Sequence, residues 1–347
     1  MWQGYFVVID IGIVYYWTVE VRCRPLKDFN MKRIGLIDVD SSSKYPNLAL
    51  MKISAWHKSQ GDIVEWYYPF GDRYDIVYKS KVFSFTKDFT DAINADLVIG
   101  GGSGYCIDFV DGMEVFHKEK DIMLEPQIEH IYPDYSLYPK LTKDTAYGFL
   151  TRGCPRGCSF CIVGKKEGLR SVKWSDLSEF WKGQKKVVLH DPNILACKDW
   201  ENLLGQLKDS NAEVDFNQGM DIRLMTIEKA EMLKSLKTRE IHFAWDRYED
   251  KDIILPKLKL YAEAGKKANP DHNSIVYTIV NFDTTLEQDL ERIYTLRDMG
   301  YWPYVMIYSK YNCDHIYLDL QRWVNNRFIF ASCKRFEDYK RGAQYNV

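Results

Sequence analysis

Short apolar runs alternate with longer helical stretches twice along the chain, and a proline-broken segment separates the two series. This pattern predicts an α/β protein: a small doubly wound parallel sheet, then an open, partial barrel of six strand–helix units. The length of 347 residues agrees, since it holds about two domains of ordinary size. Composition agrees as well: 46% of positions are hydrophobic and 15% aromatic, against only 21 glycines and 11 prolines, which excludes a disordered or collagen-like chain. Lys and Arg number 47 against 49 Asp and Glu, so no global positive field draws the chain to nucleic acid or anionic lipid. Nucleic acid is therefore not an expected partner.

The first apolar stretch, Tyr5 to Val19, is too short for a membrane span, is interrupted by Asp10 and lacks a basic leader. No membrane partner is expected, and the location expected is cytoplasmic. Met31-Lys32-Arg33 reads as a fresh beginning, so residues 1–30 are expected to be an extension outside the fold; the alternative is an extra strand. The first unit, residues 31–121, opens with a strand at Ile34–Val39. A helix over Asn47–Gln60 is ended by Gly61, and a second strand follows at Ile63–Tyr67. Asp75–Tyr78 with Val82–Ser84 supplies a third strand, and a helix over Thr86–Ala95 leads to Asp96–Ile99 and the glycine run Gly100–Gly104. Residues 122–145, with Pro126, Pro133 and Pro139, read as a linker.

The second unit, residues 146–325, has strands at Tyr147–Leu150, Lys186–Leu189, Val214–Phe216, Glu240–Ala244, Ile275–Val280 and Tyr304–Ile307. Helices are expected at Trp174–Lys182, Asp199–Lys208, Ile227–Leu236, Lys257–Lys267, Leu286–Met299 and Tyr317–Val324. Six such units are too few for a complete eightfold barrel, and an open parallel sheet keeps its chemistry in the loops at the carboxyl ends of its strands. A terminal extension, residues 326–347, carries a strand-like Phe328–Phe330.

One of those loops, directly after the first strand, is Thr151-Arg152-Gly153-Cys154-Pro155-Arg156-Gly157-Cys158-Ser159-Phe160-Cys161. Three thiolates spaced Cys-x3-Cys-x2-Cys can bind three irons of a cubic cluster and leave the fourth iron open to another molecule. A closed zinc tetrahedron completed by His190 or Cys197 is the alternative, although zinc sites usually bring their ligands as two separated pairs. The remaining cysteines, Cys23, Cys106, Cys197, Cys313 and Cys333, are scattered singly, as free thiols are in a reducing compartment.

At this loop the sequence resembles the radical S-adenosylmethionine (radical SAM) superfamily, whose hallmark is this spacing with an aromatic residue, here Phe160, before the last cysteine. The resemblance covers about residues 146–310 and implies a partial (β/α)6 barrel. It further implies that Cys154, Cys158 and Cys161 hold a [4Fe–4S] cluster whose open iron chelates the amino and carboxylate groups of S-adenosylmethionine. One electron, from a donor such as flavodoxin or ferredoxin, would then cleave that molecule to methionine and a 5′-deoxyadenosyl radical, which starts chemistry on an unidentified substrate.

Other strand ends carry candidates for the same cofactor. His190-Asp191-Pro192-Asn193 stands where the family often has Gly-Gly-Glu; Asp191 would meet the methionine ammonium, or else the stretch is a turn and helix cap. Gln218, Asp221 and Arg223 are candidates for the ribose hydroxyls and the methionine carboxylate, the alternative being an Asp221–Arg223 salt bridge within the turn. Asp246 ends the fourth strand, and Val280 and Asn281 would border the adenine, while Trp245 and Phe282 are more often packing residues.

The first unit is similar in arrangement to the Rossmann-like cobalamin-binding domain of the cobalamin-dependent branch, with Gly100–Gly104 where a glycine-rich loop would face that cofactor. No Asp-x-His-x-x-Gly stands in this unit, so a histidine reaching cobalt has no support in the sequence, and a sheet that lost its ligand is the alternative. The expected function is a radical SAM enzyme. Its rivals are a cobalamin-dependent radical SAM methyltransferase and a non-catalytic zinc- or iron–sulfur-binding scaffold. Lys165, Lys166, Arg170, Lys173, Lys182, Lys185 and Lys186 gather after the cysteine loop as a patch for an anionic substrate, even RNA, or, more commonly, as a solvated face.

Overall fold

The computed structural model describes residues 31–110, 113–264 and 274–342, so the readings of residues 1–30 and of Cys23 lie outside the described residues. The first sheet comprises β1 (Arg33–Asp38), β2 (Ile63–Trp66), β3 (Tyr74–Ser80) and β4 (Ala95–Gly101), all parallel in the order β2-β1-β3-β4. Helix α1 (Leu48–Ser59) is capped by the Asn47 side chain and buries Leu50 and Ile53 on Ile34 and Leu36.

The expected helix over Thr86–Ala95 does not form. Asp88 accepts from Lys79 Nζ (2.9 Å) and Tyr105 OH (2.6 Å), and Lys79 also reaches the Phe89 carbonyl (3.3 Å). These tertiary bonds hold a short stretch containing Thr90 and Asn94, both weak helix formers, in an irregular path. Phe89 and Ile93 still cover Ile37, Tyr74 and Val77. The sheet is therefore parallel but helix-covered on one face only, and an antiparallel hairpin, β5 (Ile107–Val110) with β6 (Met113–Phe116), follows it.

Residues 122–145 are not a free linker. They contain two one-turn helices, α2 (Pro126–Glu129) and α3 (Pro139–Thr142), and Leu124, Ile128 and Leu137 pack on the first core. Glu129 pairs with Lys52 at 2.8 Å, lies 3.5 Å from the Arg152 guanidinium and accepts from the Trp174 indole at 3.0 Å. The segment thus wedges the two units together.

The second unit begins with β7 (Thr145–Gly148). A two-residue ribbon follows, β8 (Thr151–Arg152) with β9 (Val172–Lys173), and it brackets the cysteine loop and the short α4 (Val163–Lys166). Then come β10 (Lys186–Leu189), α5 (Trp200–Ser210), β11 (Glu213–Phe216), α6 (Ile227–Ser235), β12 (Ile241–Ala244) and α7 (Lys251–Glu263). β13 (Ser274–Val280), α8 (Leu286–Asp298), β14 (Trp302–Ile307), α9 (His315–Asn325) and α10 (Arg327–Ser332) complete it. Parallel sheets β7-β10-β11 and β12-β13-β14 meet through bridges Val214–Thr238 and Met220–Phe243, giving six parallel strands in an open arc that is not a closed barrel.

Three expectations fail here. Only a 3-10 turn, Leu177–Glu179, stands where a helix over Trp174–Lys182 was expected, because Ser175 Oγ bonds the Phe149 carbonyl (2.5 Å) and Leu177 N bonds Gln206 Oε1 (2.8 Å). α7 starts six residues early and carries Pro256 inside it, which a reading that stops helices at proline misplaces. Phe328–Phe330 is helical rather than extended: Asn326 caps α10, and Phe330 packs on Trp323 at 4.8 Å.

Candidate functional site

The cysteine loop leaves the first barrel strand through backbone contacts that few sequences permit. Gly153 adopts φ +81°, and a Cβ there would lie 2.2 Å from the Arg170 carbonyl oxygen. Glu167 accepts from Gly153 N (3.0 Å) and from the Arg152 guanidinium (2.9 Å), and Cys154 N bonds the Gly168 carbonyl (3.1 Å). A tight turn then carries Cys161 N to the Cys158 carbonyl (3.0 Å). Cys154, Cys158 and Cys161 are all half-buried and all face one cavity of about 1080 Å³. Burial, together with the charge of Asp246 and of the neighbouring cysteines, pushes the Cys158 and Cys161 thiols up. They are therefore not pre-formed nucleophilic thiolates, and a metal would have to displace their protons. Among the described residues, no three His, Cys, Asp or Glu side chains, these cysteines included, converge to hold a single metal ion.

Asp191 does not face the cavity, which corrects its expected role. Its buried carboxylate accepts from Leu150 N (3.1 Å), Thr151 N (2.5 Å) and Thr151 Oγ1 (2.7 Å), so it clamps the chain leading into the cysteine loop. Burial pushes its carboxyl up to about 6, against the opposing effect of those donors. A carboxyl raised from its usual value of about 3.9 contributes most stability in acid and loses that contribution as pH rises from about 4 through about 6. Asp191→Asn is therefore expected to flatten the stability–pH curve in that window. It is also expected to cost stability in acid, where the protonated carboxyl contributes most, because an amide cannot accept from both backbone N–H groups through both of its terminal atoms. Denaturant midpoints measured across pH check both effects.

The neighbouring Asn193 takes up the position that Asp191 vacates. It lines the cavity at 2% exposure, donates Nδ2 to Cys154 Sγ (3.5 Å), and leaves its buried Oδ1 without a partner. Asp221 and Arg223 both reach the cavity but pair with each other (2.7 Å), the alternative considered from sequence. The pair belongs to a wall in which Arg156, from within the cysteine loop, also holds Asp221, and Asp250 also holds Arg223. Gln218 reaches the cavity and is exposed; Asp246 also faces it, and burial pushes the Asp246 carboxyl up to about 6.

Phe160 lines the cavity and meets Phe282 edge-on (5.4 Å), which in turn meets Tyr308 (4.7 Å). Asn281 is a second correction. It sits at φ +59°, donates to the Tyr308 carbonyl (3.2 Å) and does not line the cavity, so it ties β13 to β14; Ile279 and Tyr308 form the wall there instead. Trp245 is fully buried core. Lys173, Lys185 and Lys186 pair with Asp176, Asp144 and Glu213, and Lys182 lies over the Tyr132 ring, whereas Lys165 and Lys166 line the cavity.

Sequence reasoning missed that the first unit closes this cavity. The carboxyl ends of β1 and β3 lie at the strand-order reversal of the sheet, where open α/β sheets place ligands, and they bring Asp38, Asp40 and Ser80 to face the barrel rim. Tyr45 OH bonds Asn217 Oδ1 across the gap (3.1 Å), and Lys166 Nζ bonds Ser103 Oγ (2.5 Å). The expected glycine loop serves its own chain: a Cβ on Gly102 would lie 2.3 Å from the Lys81 carbonyl oxygen, and one on Gly104 would lie 2.8 Å from that of Phe83. No helix of the described residues is long and apolar enough to cross a membrane. No family model matches the chain, and no curated protein matches its sequence.

Proposed function

We propose that this chain is a radical SAM enzyme, whose partial (β/α)6 barrel binds a [4Fe–4S] cluster through Cys154, Cys158 and Cys161 and S-adenosylmethionine beside it. The observation that carries this reading is the placement of the Cys-x3-Cys-x2-Cys loop: it follows the first of six parallel strands and opens into a large cavity at their carboxyl ends. The donor set fits in kind, since three thiols on one loop that line one cavity suit a cluster that keeps one iron open. When bound, the cluster and S-adenosylmethionine supply one-electron cleavage that begins radical chemistry.

The chain's own groups position and shield that chemistry. The unpartnered Asn193 Oδ1 and the Asp246 carboxylate offer acceptors for an ammonium next to the cysteines. Arg156 and Arg223, neutralised by Asp221 and Asp250, form a rigid polar wall. Phe160 and Phe282 exclude water from one side, and the first unit covers the mouth.

Cobalamin finds less support. The two described histidines of the first unit, His57 and His117, bond Asp62 and Glu119 and do not line the cavity. Anaerobic reconstitution with iron, sulfide and a reductant, with flavodoxin or ferredoxin as donor, is expected to give about four irons per chain and 5′-deoxyadenosine from S-adenosylmethionine. Stoichiometric zinc with no 5′-deoxyadenosine would establish the scaffold reading instead.

A further inference from the structure

The carboxyl edge of β1 and β3 lines the same cavity and carries a buried carboxylate. Asp40 is 5% exposed; its Oδ2 accepts from Val82 N (2.5 Å), and its Oδ1 is buried with no partner although the residue lines the cavity. Asp38, two residues earlier, accepts from Asp40 N (3.1 Å) and Tyr138 OH (2.6 Å). Neither carboxylate has an ion-pair partner among the described residues: the nearby Lys52 and Lys166 are committed to Glu129 and to Ser103 with Asp121. The sequestered Asp40 carboxylate is costly to maintain without a cation, and its unused acceptor in a cavity wall calls for an N–H or O–H donor from a ligand. The segment that bonds Asp40 continues into Phe83 and Phe85, whose rings stack at 5.3 Å and line the same cavity. Phe85 is 65% exposed, so the stacked pair presents an open aromatic face to the cavity.

We infer that this edge is a binding subsite for a primary amine carried on an aromatic or apolar body, with Asp40 as its counter-ion and Phe83 and Phe85 as its platform. That the amine is the substrate rests on the radical-enzyme reading; that it binds does not.

The test uses the full chain and 2-phenylethylamine as probe, with 2-phenylethanol as its neutral isostere. Calorimetric titration is expected to show the amine binding about ten- to a hundred-fold tighter, the range of one hydrogen bond to a charged group. Asp40→Asn is expected to abolish that preference and to raise the melting temperature of the ligand-free protein, because an unpaired buried charge is removed. Phe85→Ala, at an exposed position, is expected to weaken both probes alike. Equal affinity of the two probes for the wild-type chain, or no binding of either, overturns the subsite even if 5′-deoxyadenosine is formed. Amine preference without 5′-deoxyadenosine supports the subsite and removes the radical-enzyme reading.

Discussion

Alanine in place of any one of Cys154, Cys158 or Cys161 is expected to abolish both cluster absorbance and S-adenosylmethionine cleavage while leaving the fold intact. Each thiolate of a three-cysteine site holds a different iron, so no remaining ligand substitutes for the one removed. The shape of the loop does not depend on the thiols. Its course is set by Gly153 against Arg170, by the Cys154 N to Gly168 carbonyl bond, by Glu167 and by the Asp191 clamp, all of which survive a Cys→Ala change. The cysteines are only half-buried, and a substitution at such a position costs roughly 0.5 kcal/mol. Denaturant midpoints should therefore stay near wild type as iron content collapses. Cys313→Ala serves as control, since its half-buried thiol reaches the nearby Lys310 carbonyl and does not line the cavity. Full iron content in all three single variants would defeat the cluster assignment.

Much of this architecture was legible because periodicity and spacing are local signals. The run Lys186–Leu189 reads as a buried strand and is β10 residue for residue, and Asn47 reads as the start of a helix and caps α1. The cysteine loop was found for the same reason, since chemistry-bearing residues and the glycines that bend the chain stand next to one another. What failed was long-range. The irregular path of residues 82–94 depends on Lys79 and Tyr105 reaching Asp88, and the packed state of residues 122–145 depends on Lys52 and Arg152 meeting Glu129. Asp191 and Asn193 lie two positions apart in one turn, and sequence alone does not say which faces inward; the structure turns Asp191 to the backbone and Asn193 to the cavity. Asp40 carried no motif at all. One missed signal was available: Asp289, Arg292, Ile293 and Leu296 fall on a single helical stripe, so two charges occupy core positions of α8.

Those two charges give the largest expected loss of stability. Arg292 and Asp289 are both fully buried and pair at 2.5 Å. The guanidinium also donates to the carbonyls of Trp245 (2.8 Å), Asp246 (2.8 Å) and Ile279 (2.7 Å), at the carboxyl ends of β12 and β13. One side chain thus satisfies three carbonyl oxygens on two neighbouring strands and fixes the backbone of Asp246 at the cavity wall. Arg292→Met would leave those carbonyls unpaired and the Asp289 carboxylate with only Thr284 Oγ1. Removing one member of a buried pair costs about 3–5 kcal/mol, a large share of the roughly 5–15 kcal/mol that holds a domain folded. The denaturant midpoint of Arg292→Met is expected to fall accordingly. Arg292→Lys keeps the charge but cannot fork across two strands, so it should recover part of the stability and still bind S-adenosylmethionine more weakly than wild type. An unchanged midpoint in Arg292→Met would mean that the strand ends hold their positions without this guanidinium.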